Sequence, residues 1–482
     1  MRIRELIKKS AWLLPLILVL IIGSEKLLSQ TKVMNLDDAI KIALDSNSSM
    51  KIAVMNVMKA EAAVDEAFGY ALPSVNLSGY FTRFIEKSKM PFPDFEAMLN
   101  NAVYGTLFNE NIIPYDPNKF KPIAYTLQSF ALANNFQAKA EVTQILFNSA
   151  VFRGIGASKI YYNVSRELLK STTAKTILDV KKAFYGVLLT QELLKIMNDS
   201  YKNAQDNYNN VKAMNNQGLV SEYDLMQVEV KVENIKPSIV LIENSLKNIK
   251  DGLKLLMGVP QSVDFSVEGE LKYINENLPD ENALIALALK NNLDLSSLEL
   301  KKQVDNEFIH LDLSEYWPSV VAFGNLNYAG SSDDFNFQTY REAMVGVQLS
   351  INLYNGGQTS NRVQKSTINF QHTEEQLYQL KNYITMQVKS KILDIKRVQS
   401  QLESQERTVN LAQKAYTLST VRYKEGTGTQ LEIQNSEMEL RLAKQTYLQS
   451  VYDYIIAKSQ LDELLGNVEV KYLNFIEKYY KQ

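Results

Sequence analysis

Two carboxylates stand at equivalent places in this chain, each three residues after a hydroxyl: Ser221-Glu-Tyr-Asp224 and Thr429-Gln-Leu-Glu432. A hydroxyl that accepts a backbone N–H at a helix start, with an acid three residues on that reaches back, is a capping box. The chemistry this spacing supports is hydrogen bonding at a turn, not proton transfer. Gly218 and Gly426 precede the two hydroxyls by three residues each, at the same offset of 208 that relates the carboxylates. Glycine adopts left-handed backbone without a Cβ penalty, so each site reads as helix, glycine turn and returning helix.

No other grouping offers reactive chemistry. The two histidines, His310 and His372, fall in unrelated stretches, and there is no cysteine to supply a nucleophile, a soft metal ligand or a disulfide. Gly154-Ile-Gly156 lacks the third glycine and the βαβ setting of a dinucleotide site. The formal net charge of −2 comes with intermixed acids and bases and no basic patch, which speaks against nucleic acid as a partner. The sequence therefore predicts no enzyme, no cofactor and no metal.

The elements that place the two turns are unusually long. Ser149 to Gly218 and Gly356 to Gly426 contain no proline, and about 70 residues of helix at 1.5 Å per residue span roughly 100 Å. Val388, Ile395, Leu402, Val409, Tyr416 and Tyr423 recur every seven residues, and Val180, Val187, Leu194, Tyr201, Tyr208 and Asn215 are their partners at offset 208. A sustained period of seven is a coiled-coil seam. Companion positions such as Ala183, Thr190, Gln405 and Ser419 are small or polar, so the apolar stripe is narrow and suits a thin-walled tube better than a solid bundle. Helices returning to Gly258 and Gly466 cover only part of each long one.

Four segments alternate with a period of two. Val345, Val347, Leu349, Ile351 and Leu353 are apolar at every odd position; Val75, Leu77 and Phe81, then Ala138, Ala140 and Val142, then Val320, Ala322, Leu326 and Tyr328 follow the same pattern. Each segment is about ten residues, the length of a tilted membrane strand. Four strands cannot close, and an open edge in lipid leaves backbone groups unpaired, so several chains are expected to share one barrel. Phe81, Phe84, Phe147 and Tyr354 lie where an interfacial girdle is expected. Residues 86–135, with five prolines, connect the first two strands, whereas the counterpart at 329–342 is far shorter.

Pro-Ser-Val-x-x-x-Gly occurs at Pro73 and again at Pro318, each proline opening a strand, at an offset of 245. The expected organisation is an internal two-fold repeat. Residues 1–29 read as a signal peptide, with Arg2, Arg4, Lys8 and Lys9 before the apolar run Ala11–Gly23. Residues 30–270 form the first repeat, with strands near 74–84 and 136–147, a long helix over 149–217 and a returning helix over 219–258. Residues 271–466 form the second, with strands near 319–328 and 343–354 and helices over 356–425 and 429–466. Residues 467–482 follow as a C-terminal equatorial segment.

In Leu36-Asp-Asp-Ala-Ile-Lys-Ile-Ala-Leu44 with Asn47, Leu353-Tyr-Asn-Gly-Gly357, Tyr423-Lys-Glu-Gly-Thr-Gly-Thr-Gln-Leu-Glu432 and Leu464-Leu-Gly466, the chain resembles the TolC-type outer-membrane factors of tripartite efflux pumps and type I secretion. The resemblance covers essentially all of the chain after the signal peptide. It implies a mostly α fold with membrane β: a long α-helical coiled-coil barrel joined to a 12-stranded β-barrel shared by a homotrimer, four strands per chain. It further implies residence in the bacterial outer membrane among its lipids, extension into the periplasm, and partnership with a periplasmic adaptor (membrane fusion) protein and an inner-membrane pump of RND or ABC type.

The implied function is a passive exit duct for small molecules or polypeptides. By the same resemblance Tyr423 and Asp224 belong to a network that ties the periplasmic tip shut, and Glu432 to an acidic ring in the pore. Gly428 and Asn435 depart from the pattern, standing where such channels can carry a gate-tying arginine and a second acidic ring. The alternative from another class is a secreted coiled-coil structural or adhesion protein without a pore, against which the polar face of the period-two strands argues.

Overall fold

A computed structural model describes residues 32–477, so the predicted signal peptide lies outside the described residues. The chain forms two compact units, each assembled from stretches on both sides of residue 270, where the sequence divides the two expected repeats. One takes the described residues up to Val64, Ala157–Asn306 and Thr367 onward; the other takes Asp65–Gly156 and Glu307–Ser366.

The second unit is built on a four-stranded antiparallel sheet of β2 (Ser74–Arg83), β5 (Asn134–Phe147), β7 (Ser319–Ser332) and β8 (Gln338–Ser350), in that order. Pro73 and Pro318, which have no N–H to offer a ladder, each stand immediately before a strand. Register decides the faces. Leu77, Ala140, Leu326 and Ala343 lie in one row, and Val75, Val142, Gly324 and Val345 in the next on that face, so the middle of one side of the sheet is apolar from edge to edge. The opposite side carries Asn76, Glu141 and Asn325 in one row and Ser78, Lys139, Asn327 and Glu342 in another. There Lys139 pairs with Glu141 at 3.0 Å and the Gln137 amide donates to Asn327 at 2.7 Å. Within the chain β2 pairs only with β5 and β8 only with β7, leaving two open edges.

The last strand is displaced from the expected 343–354: its ladder runs over 338–350, because Ser350 pairs with Ser319 and Pro318 ends the partner. Residues 351–353 keep the apolar alternation without a strand to pair with. At the other end β7 continues past the expected Tyr328, since Phe136 lies over Gly330 so closely that a Cβ there would meet its ring at 2.6 Å. The long connection has a fold of its own, with β3 (Met90–Pro93) paired to β4 (Tyr125–Gln128) and helix α3 (Phe95–Asn109) capped by Asp94. Asp333, in the β7–β8 turn, anchors its base by accepting from the Ala133 N–H at 2.8 Å and from Lys87. These two donors hold its carboxyl below the usual carboxylate range.

The first unit is helical. Its elements are α1 (Leu36–Ser46), α2 (Ser48–Gly69), α4 (Ser149–Asn216), α5 (Glu222–Met257), α6 (Glu281–Asn291), α7 (Leu293–Leu313), α8 (Gln358–Lys424), α9 (Gln430–Leu464) and α10 (Val470–Glu477). Parts of α2, α4, α7 and α8 belong to the other unit. A parallel pair of β1 (Lys32–Met34) and β6 (Phe265–Val267) completes it.

Two apolar cores repeat one plan. Ile40, Leu44, Val180, Phe184, Val187, Leu253 and Met257 form the first, and Leu284, Leu295, Val388, Ile392, Ile395, Leu402, Val451 and Leu461 the second. The heptad seam is thus fully buried from Val388 to Leu402, then half-buried at Val409, Tyr416 and Tyr423 towards the turn. Each core is closed by an asparagine: Asn47 donates to the Leu256 carbonyl at 2.7 Å, and Asn292 to that of Leu464 at 3.0 Å. The glycines beside those carbonyls, Gly258 and Gly466, have φ of +67° and +65°.

Burial pushes up the carboxyls of Asp462 and Glu463, at the end of α9. A carboxyl raised in the folded state favours folding when protonated; that contribution is full below the unfolded pKa near 4 and disappears as pH rises through the folded value. Asp462→Asn is therefore expected to raise the thermal midpoint at pH 7.5, with the gain shrinking as pH falls towards about 4. A gain that is equal at both pH values would remove the titration of Asp462 as its cause.

Candidate functional site: the two hairpin tips

At the first tip, α4 ends in a Schellman turn, with Leu219 N–H donating to the Met214 carbonyl at 3.0 Å and Gly218 at φ +74°. Ser221 then caps α5. Its hydroxyl accepts from the Asp224 N–H at 3.1 Å and donates to the Asp224 carboxylate at 2.7 Å, while that carboxylate also accepts from the Ser221 N–H at 3.4 Å. All of these contacts of Asp224 are local.

The second tip closes differently. Gly426 has φ +73°, and the Arg422 carbonyl accepts from both Thr427 N–H at 2.9 Å and Gly428 N–H at 3.0 Å. The Thr429 hydroxyl caps α9 by accepting from the Glu432 N–H at 3.2 Å, but the Glu432 carboxylate turns to Arg422, 3.4 Å from its guanidinium. Arg422 also donates to the Thr427 carbonyl at 3.1 Å. A Cβ on Gly428 would meet Tyr423 N at 3.0 Å and Arg422 C at 3.1 Å, so any side chain at 428 presses on the loop's own backbone. The guanidinium at this tip comes from Arg422 instead.

Tyr423 and Asp224 are not in contact among the described residues. The Tyr423 hydroxyl is enclosed without a hydrogen-bond partner, and its ring lines a cavity of about 530 Å³ with Asn203, Asp206, Asn207, Tyr416 and Thr420.

What sequence reasoning missed is the polar seam above the tips, where α4 meets α9. Asn207 and Gln430 exchange amide hydrogen bonds at 2.8 and 3.2 Å. Seven residues along each helix, Ser200 donates to the buried Glu437, which also pairs with Lys231 of α5 at 3.1 Å. The signal was present as polar residues seven apart on both helices. It was hidden because only an antiparallel pairing of α4 with α9 turns two separate spacings into one seam.

Residues 39–259 and 284–467 match the family model described as outer membrane efflux protein. The chain belongs to the outer membrane efflux protein family. It is 24% identical over 302 residues to outer membrane protein TolC of Vibrio cholerae, covering 62% of this chain and 69% of that one. It is 20% identical over 352 residues to the alkaline protease secretion protein AprF of Pseudomonas aeruginosa, covering 71% and 73%. Among solved structures, the Campylobacter jejuni CmeC outer membrane channel superposes with a TM-score of 0.72 at 14% identity, covering 95% of this chain and 94% of that one. As an outer membrane efflux protein of the TolC type, the chain is an outer-membrane exit duct of an efflux or secretion system. The family match runs through both hairpin tips and both cores, and passes over 260–283, the stretch containing β6.

Proposed function

We propose that three copies of this chain close one 12-stranded barrel in the outer membrane. Their long hairpins continue it as a helical tunnel that receives cargo from a periplasmic adaptor and an inner-membrane pump. The observation that carries this reading is the four-stranded sheet with open edges at β2 and β8 and one face that is apolar through its middle rows. Backbone groups at an edge have no water to bond in a bilayer, so each β2 needs a β8 from another copy. The polar face of Lys139, Glu141, Asn325 and Glu342 then lines the lumen. Purified protein in mild detergent is expected to give a three-chain species that opens ion-conducting channels in planar bilayers; a non-conducting three-chain species would overturn the duct.

At the far end the hairpin tips form the gate, and Glu432 sets a ring of three carboxylates, partly neutralised by Arg422. The two side chains are 40% and 49% exposed, so the pair adds little stability, about 1 kcal/mol at most. Its effect is on ions. Glu432→Gln is expected to weaken cation selectivity and Arg422→Gln to strengthen it, together with block by trivalent cations, with thermal midpoints nearly unchanged. If both changes shift reversal potentials the same way, or neither shifts them, the ring is not in the ion path.

A further inference from the structure

The sheet's apolar face ends, on the side of the long connection, in a patch of five aromatic rings. Phe335 stacks on Phe81 at 6.3 Å between centroids, Phe337 meets Phe136 edge-on at 5.0 Å, and Phe136 meets Tyr328 at 5.6 Å. Phe335 and Phe337 themselves meet at 6.2 Å, which joins the rings into one surface. Two guanidiniums flank it: Arg83 lies 5.7 Å over the Phe335 ring and Arg341 lies 5.6 Å over the Tyr328 ring.

These arginines are out of place by charge. The four strands hold five charged residues, and Lys139, Glu141 and Glu342 all lie on the polar face; Arg83 and Arg341 share the apolar face with Leu77 and Val345. Both are exposed, and neither guanidinium has an ion pair or hydrogen bond among the described residues. Arg83 ends β2 and Arg341 is the fourth residue of β8, so both stand at the end where the chain enters its long connection or its turn. In membrane barrels the long loops face outside. A guanidinium on a lipid-facing surface is stable at headgroup depth, where phosphate oxygens accept its planar fork of donors. The ring faces attract both cations and hold them beside the patch.

We infer that this patch binds the phosphate-bearing headgroup of an anionic glycolipid in the outer leaflet, with Arg83 and Arg341 on phosphate and the rings against the apolar part. The inference rests on the proposal that the apolar face meets lipid. Native mass spectrometry of the three-chain species tests it, with two probes of equal acyl composition: a glycolipid carrying two phosphate monoesters and its dephosphorylated form. Wild type is expected to retain the phosphorylated probe, and the double variant Arg83→Gln/Arg341→Gln to retain at least about fivefold less, since charge-assisted bonds are lost. Lys139→Gln, on the other face, leaves retention unchanged. Equal retention of the two probes by wild type, or undiminished retention by the double variant in intact three-chain species, overturns the lipid site. Absence of any three-chain species in wild type counts instead against the shared barrel.

Discussion

Replacing Gly258 or Gly466 by alanine is expected to destabilise the chain by about 3 kcal/mol or more, far beyond the same change at either hairpin tip. All four glycines have left-handed backbone, with φ of +67°, +65°, +74° and +73° at Gly258, Gly466, Gly218 and Gly426. An alanine there costs about 1–2 kcal/mol by backbone strain alone. What separates the pairs is the neighbour. A Cβ at Gly258 would stand 2.3 Å from the Ser46 carbonyl oxygen and one at Gly466 2.1 Å from that of Asn291, whereas nothing lies within 4 Å at Gly218 or Gly426. Both obstructing atoms are backbone, held by the adjacent Asn47 and Asn292 bonds, so neither can swing aside. Thermal melts of the four single variants check this ordering. Equal losses at all four would mean that strain, and not close approach, governs the glycines.

The second large effect concerns the sheet. Arginine at Val345 or Val347 would put a charge on the apolar face well inside the strand ladder, and is expected to cost about 2–4 kcal/mol per chain at mid-membrane depth. Gln348→Arg, one residue away on the polar face, is expected to leave the amount of folded assembly nearly unchanged. Arg341 already stands on the apolar face, at the outer end, where the penalty falls to about 0–1 kcal/mol. Heat-modified gel mobility after identical expression reads the contrast; equal loss for both faces would mean that the faces are wrongly assigned.

Periodicity made the heptad seam and the strand faces legible, because both are set by local spacing. Strand ends were less so. Apolar alternation continues to Leu353, but a strand ends where its partner ends, and Pro318 stops β7 at Ser319, which lies opposite Ser350. Gly330-Ser331-Ser332 reads as a turn in sequence and becomes strand because Phe136, nearly 200 residues away, covers the glycine. At the tips, the capping hydroxyls and turn glycines follow from local rules. The partners of Glu432 and Glu437 do not: the Arg422 pairing depends on how the loop folds over Gly428, and the Ser200–Glu437–Lys231 set on three helices brought together. Within one chain Asp224 bonds Ser221, as its capping box foretells, and the Tyr423 hydroxyl has no hydrogen-bond partner among the described residues.

Cross-linking between edge strands tests the shared barrel most directly, since the sequence has no cysteine of its own to interfere. One cysteine at Leu77 in β2 is combined in turn with a second at Ala343, Val345 or Val347 in β8, and the assembly is oxidised in the membrane before denaturation. Within one chain β5 and β7 separate β2 from β8, so a bond within the chain is out of reach. At least one pairing is expected to yield a covalent three-chain species as the limiting product. Oxidation that stops at two chains, or leaves single chains at every pairing while the strands remain folded, would contradict closure of the barrel by β2 against β8 of neighbouring copies.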